Sequence, residues 1–191
     1  MKKIDIKSVL IGLLIGTNFI FLLGAKQKAD HIEAKSITIF NDDGEKIAYF
    51  GKDANGQGRI YFNRSDGALT LSMASIDGNG VIATFNKYEK ETVYIGANKS
   101  SNGVITTNKY DGEQTIFLGT GTEGGGYLST YNNNGKQTTY FGTSESGNGY
   151  LKIHNKYGED LALIGMNTNS DGVLHLYDRY GSLGWGMSGE K

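Results

Sequence analysis

The chain predicts an all-β repeat fold, in which 23-residue β-hairpin units form an elongated meander or β-solenoid preceded by one N-terminal transmembrane helix. Three observations carry this. Glycine recurs in three columns at a fixed spacing, apolar residues sit at matching offsets on both sides of each turn glycine, and one uncharged apolar run stands ahead of the first repeat.

Lys2, Lys3 and Lys7 precede the run Val9 to Ala25, which holds no charge and only Thr17 and Asn18 as clearly polar members. As a helix this run spans about 26 Å at about 1.5 Å per residue, close to a hydrocarbon core of about 30 Å. Residues 9–25 are therefore expected to be a transmembrane signal-anchor that ties the protein to the membrane, or alternatively a signal peptide ending at Leu23-Gly24-Ala25. Either way the lysines keep residues 1–8 cytoplasmic and send the rest to a periplasmic or extracellular location. The chain has no cysteine, which excludes a lipoprotein, a disulfide framework and thiolate chemistry. Residues 26–35, KQKADHIEAK, form a charged linker able to extend the helix as a short stalk.

From residue 36 to 191 one unit is written seven times. Turn glycines stand at Gly44, Gly67, Gly112, Gly135, Gly158 and Gly181, with Glu89 in the remaining place; successive units are 23 residues apart, with one interval of 22. A second column runs through Gly51, Gly96, Gly119, Gly142 and Gly165, broken by Ala74 and Ser188. A third runs unbroken through Gly58, Gly80, Gly103, Gly126, Gly149 and Gly172. Asp or Asn often precedes the turn glycine, as in Asp43-Gly44 and Asn134-Gly135, which suits a two-residue type I′ hairpin turn. Symmetric pairing about that turn sets Thr130 opposite Thr139 and Leu128 opposite Phe141.

That register puts Ile37, Ile60, Ile82, Ile105, Leu128, Leu151 and Leu174 on one face with Phe50, Met73, Ile95, Leu118, Phe141, Ile164 and Met187. No polar residue interrupts either column, so this is the expected buried face. The other face mixes Tyr49, Tyr94, Phe117 and Tyr140 with Thr70, Thr92, Thr115 and Thr138. Large side chains opposite the second glycine column, Tyr127 and Tyr150 among them, are placed to lie over bare backbone. The segments between hairpins, such as Thr143 to Asn148, are small and polar and predict loops. A right-handed parallel β-helix is the alternative, but each of its sides needs inward apolar residues and these segments have almost none. Trp185, the only tryptophan, falls on the apolar face of the last unit, where a terminal repeat is expected to cap the array.

Chemistry is sparse in this pattern. Asn167, Asn169, Asp171 and Asp178 imitate the spacing of a calcium loop around Gly172, although the first ligand is Asn and the final Glu is missing. His154 and His175 fall on the aromatic face about 10 Å apart with a strand between them, too far for one metal without a third group. Serines lie in repeat loops without a nucleophile elbow, and glycine strings such as Gly124-Gly125-Gly126 do not open a helix. A formal charge of −1 with both signs scattered argues against nucleic acid. The expectation is an exported structural or adhesive protein with no catalytic activity and no cofactor. The alternative is a carbohydrate-binding module using Tyr49, Tyr94, Phe117 and Tyr140 as a ligand face. A single-layer sheet also leaves its apolar face in need of cover, so a homo-oligomer and a glycan or cell-surface partner are both expected possibilities.

The string Tyr131-Asn132-Asn133-Asn134-Gly135-Lys136 resembles the hairpin repeats of choline-binding and clostridial toxin modules, and the endings Gly56 to Gly58 and Gly78 to Gly80 resemble MORN repeats. The first group repeats at a shorter period with tryptophan or tyrosine pairs, and the second spaces its glycines differently. No residue role is carried over from either.

Overall fold

A computed structural model describes residues 5–24 and 33–190, and the chain divides into two units, Met1–Ala34 and Lys35–Lys191. In the first unit, Ile6–Gly24 forms helix α1. Asp5 caps it, its carboxylate accepting the Lys7 backbone N–H at 3.1 Å. The expected transmembrane anchor over 9–25 is not supported, because among the described residues no helix is long and apolar enough to cross a membrane. Lys7 brings a charge into the first turn, and Thr17, whose hydroxyl donates to the carbonyls of Leu13 and Leu14, starts the polar Thr17-Asn18 break in the run. Most of the linker 26–35, with Lys2 and Lys3, lies outside the described residues.

The second unit is one sheet of 14 strands. They are β1 (Ile37–Phe40), β2 (Lys46–Lys52), β3 (Gly58–Asn63), β4 (Leu69–Ile76), β5 (Asn79–Phe85), β6 (Glu91–Ala97) and β7 (Gly103–Asn108). The series continues with β8 (Gln114–Thr120), β9 (Gly126–Tyr131), β10 (Gln137–Thr143), β11 (Gly149–His154), β12 (Asp160–Met166), β13 (Gly172–Tyr177) and β14 (Leu183–Ser188). Each strand pairs antiparallel with the next in sequence, and β1 and β14 remain the two edges. The fold is an open meander. It is neither a closed solenoid nor a parallel β-helix, since the segments between hairpins are themselves tight antiparallel turns.

Those turns differ from the expected type I′. At Asn132 to Lys136 the Gly135 N–H donates to the Asn132 carbonyl and the Asn132 N–H to the Lys136 carbonyl, closing a three-residue loop in which only Gly135 has positive φ. The same pattern recurs in the turns at the other ends of the strands, for instance at Asp53 to Gln57 and Ser144 to Asn148. The type I′ turn does occur at Asp77-Gly78, with φ values of 50° and 82°. That shorter connection accounts for the single 22-residue interval.

The predicted register nonetheless holds: Thr130 faces Thr139 and Leu128 faces Phe141. A three-residue loop displaces the pairing by one residue, and a bulge between Gln137 and Thr139 restores it. The bulge explains the threonine column. Thr70, Thr92, Thr115 and Thr138 are the extra residues, and each hydroxyl donates to a carbonyl of the facing strand, of Phe62, Thr84, Thr107 and Thr130 respectively.

Burial contradicts the expected assignment of faces. The apolar row from Ile37 through Phe50, Ile60 and onward to Met187 runs unbroken across all strands. Yet much of it is exposed, with Phe141 at 62% and Met187 at 58%. Among the described residues, five of the six that are buried, Val81, Ala83, Val104, Ser129 and Val173, lie on the aromatic face. They are small side chains among which aromatic rings lie along the sheet. The aliphatic row stands on the opposite face, and within the sheet unit no second layer of strands packs over it. Trp185 sits on the apolar face as expected, half-exposed on the edge strand β14.

Candidate functional site: the aromatic face and the turn ladder

On the aromatic face a Tyr-x-Gly pattern fixes ring orientation. The hydroxyls of Tyr49, Tyr94 and Tyr140 donate to the backbone carbonyls of Lys52, Ala97 and Thr143, three residues on, at 2.7–2.9 Å. Each ring therefore leans along its own strand over Gly51, Gly96 or Gly142, where a Cβ would collide with it or with the neighbouring strand. Tilted rings on neighbouring strands then stack. Phe117 meets Tyr127 with centroids 4.7 Å apart, Tyr127 meets Tyr140 at 5.1 Å, and Tyr140 meets Tyr150 at 4.6 Å, with interplanar angles of 17°, 12° and 11°. Of the predicted ligand face, Phe117 and Tyr140 join this stack, Tyr49 pairs instead with Tyr61 at 5.2 Å, and Tyr94 lies over Gly96. Burial raises the Tyr127 and Tyr140 hydroxyls above their ordinary pKa, and neighbouring tyrosines add to the shift.

Along one long edge the turns are joined by side chains. The Asn132 side-chain oxygen accepts the backbone N–H groups of Asn134 and Lys136, while its amide nitrogen donates to the Lys156 carbonyl in the next turn at 3.0 Å. Asn86 to Tyr110 and Asn155 to Arg179 repeat this link, and Arg64 to Lys87 and Lys109 to Asn133 make it with a cation. Six successive turns are thus joined in series by five links, each made by the first residue of the earlier turn. The offset between donor and acceptor is 24 residues in four links and 23 from Arg64 to Lys87 across the shorter unit, in each case the local period plus one, a signal present in the sequence that reasoning on strand faces misses.

The same edge carries Tyr88, Tyr110, Tyr157 and Tyr180 at the turn tips, 58% to 75% exposed. A cation from the preceding residue lies over three of these rings: Lys87, Lys156 and Arg179 at 4.9, 4.9 and 5.7 Å. Sequence reasoning missed these tyrosines, because they stand one or two residues before the turn glycine, or before Glu89 in its place, and fall outside the strand columns.

Of the calcium candidates, Asn167, Asn169 and Asp171 share one turn, where the Asn167 amide donates to Asp171 Oδ2 at 3.3 Å, while Asp178 belongs to another. The Asn167 side-chain oxygen caps its own turn by accepting the N–H groups of Asn169 and Asp171, and Asp178 does the same for Tyr180 and Ser182. The two turns lie at opposite ends of β13, about 20 Å apart at about 3.4 Å per residue. Among the described residues no group of His, Asp and Glu is placed to hold a metal.

His154 and His175 occupy the aromatic face as expected but serve different neighbours. His154 Nε2 stands 3.2 Å from Asp160 Oδ1, whose other oxygen pairs with Lys152 at 3.0 Å, and its buried Nδ1 has no partner. His175 instead lies edge-on to Tyr177 at 6.2 Å. Among the described residues, neither His154 nor His175 hydrogen-bonds a serine or threonine hydroxyl. No protein-family model matches the chain, and no curated protein matches its sequence.

Proposed function

We propose that this chain is an exported structural β-repeat protein, acting as a scaffold or adhesive element without catalysis. The observation that carries this reading is the turn ladder. The polar side chains best placed for chemistry, the first residues of the turns, are engaged in closing their own turn and tying it to the next. Such a design makes stability a sum of similar neighbour terms, and a unit is then removable without destroying a unique site.

Excising residues 132–154, so that Tyr131 runs into Asn155, tests this. A scaffold gives a 12-stranded chain with the same β spectrum and cooperative melting. Collapse of the fold on removing one unit contradicts it. For export, the apolar run 9–25 is the proposed signal, and mass spectrometry of the secreted protein should find a start at Lys26.

Carbohydrate binding through Tyr49, Tyr94, Phe117 and Tyr140 is the weaker reading. Sugar rings need free aromatic faces, and Tyr127 and Tyr140 have a ring stacked on each side. Glycan-array binding that disappears in Tyr94→Ala plus Tyr140→Ala would revive it.

A further inference from the structure

We propose that the apolar face of the sheet is an interface between two copies of this chain, packed face to face as a two-layer sandwich. Two parallel rows of side chains make up this face. The first runs from Ile37 to Met187, and the second runs from Ile39 through Phe62, Ile116 and Ile153 to Trp185. Neither row contains a charged residue on any strand; the first is wholly apolar, and the second is apolar except for Thr84, Thr107, Thr130 and Thr139. Exposure persists along the whole length, from Ile37 at 43% and Ile95 at 41% to Leu118 at 46%, Ile164 at 53% and Trp185 at 50%. An open hollow of about 760 Å³ lies on this face along Met73, Ile82, Ile95, Ile105 and Leu118.

Area decides what such a strip requires. Fourteen strands about 4.8 Å apart span about 62 Å, and two side-chain rows are about 14 Å deep, giving about 850 Å². Soluble monomers rarely leave more than a few hundred Å² of contiguous apolar surface in water, whereas a stable complex buries about 800 Å² on each partner. Leaving out the four threonines, about 730 Å² of apolar strip remains, which still exceeds what a monomer tolerates and is close to what a dimer uses. Its occupant must be equally long, uncharged and ridged at the same interval. The repeat spaces equivalent side chains by two strands, about 9.6 Å, and the surface of matching length and pitch is this same face on a second copy. Sheets packed this way sit about 10 Å apart and bury both faces in one step. The aromatic face offers no equivalent, since Arg59 and Lys152 interrupt it.

The test is light scattering on the full chain across micromolar concentrations, with Leu118→Lys plus Phe141→Lys as the interface variant. Both side chains are substantially exposed in a single copy, so the variant keeps its β spectrum; Leu118→Lys alone serves if the double change fails to fold. A Leu13→Glu variant in α1 separates association through the helix from association through the sheet. The expected result is twice the 20.7 kDa of one chain for the unaltered protein and for Leu13→Glu, falling twofold to one chain for the lysine variant. A mass of one chain throughout, with unfolding independent of concentration, overturns the proposal. So does a doubled mass that survives the lysines and is lost with Leu13→Glu, or a single chain whose apolar face binds phospholipid vesicles instead.

Discussion

Gly142→Ala and Gly149→Ala make a matched pair that separates two kinds of glycine in one hairpin. At Gly142 an added Cβ would meet the Gly126 carbonyl oxygen at 2.5 Å and the Tyr127 Cα at 2.6 Å, both backbone atoms of the adjacent strand that cannot swing aside. Overfilling such a site costs about 1–3 kcal/mol. Pushing Tyr127 out of its place between Phe117 and Tyr140 forfeits about 0.5–1.5 kcal/mol for each ring pair. The sum, about 2–6 kcal/mol, lowers the midpoint by about 4–24 °C for a chain of this size. At Gly149 a Cβ meets nothing within 4 Å and the backbone is not in the left-handed region. Alanine there should be neutral or stabilising by about 0.4–1 kcal/mol through the unfolded chain. Calorimetric melts of the two variants beside the parent give the comparison. Equal midpoints, or a larger loss at Gly149, would refute the claim that the second glycine column exists to let strand and ring approach.

Further outcomes concern the turns and the tyrosines. Glu89 holds φ at +60° where six other units have glycine. Glu89→Gly should raise stability in urea by about 1 kcal/mol, and Gly135→Val should lower it by more than about 1 kcal/mol. Asn132→Ala loses both the turn closure and the link to Lys156, costing about 1–3 kcal/mol, whereas Asn132→Asp keeps the acceptor and forfeits only the link. A smaller loss for the aspartate in the same denaturation series is the expected order. Tyr127 and Tyr140 have raised hydroxyl pKa values through burial, so the fold favours their protonated form. Their contribution is complete below the ordinary tyrosine pKa of about 10 and disappears as pH rises through the folded values. Melting temperature should accordingly drop at alkaline pH, and less so in Tyr140→Phe.

The period, the strand register and the two sets of side-chain columns were legible in the sequence, because each depends on spacing alone. Register survived a mistaken turn type: the added loop residue at Asn132 to Lys136 and the bulge at Thr138 cancel. Two local features of opposite sign left no trace in the alternation pattern. Burial was not legible, since apolar columns mark an inside only when a second layer exists. Here Tyr140 and its neighbours cover small residues on the other face, while Phe141 stays uncovered. The candidate calcium residues looked like ligands because oxygen-bearing side chains also cap turns, and at Asn167 and Asp178 the turn takes them. The anchor over 9–25 rested on the absence of charge, which does not fix length or apolarity for the helix that forms.

Electron–electron distance measurement on Ser65→Cys, Arg179→Cys bears most directly on the central claim, that seven units form one open antiparallel meander. The chain has no native cysteine, so two nitroxide labels report these positions alone. Both residues are exposed and occupy equivalent turn positions five units apart. Each meander unit advances by two strands, about 9.6 Å, giving about 48 Å between labels. A coil that advances one strand per unit puts them about 24 Å apart. With the labelled chain diluted into an excess of unlabelled protein, so that only distances within one chain are read, a single narrow distribution near the longer distance is the expected result, and one near the shorter distance would contradict the meander.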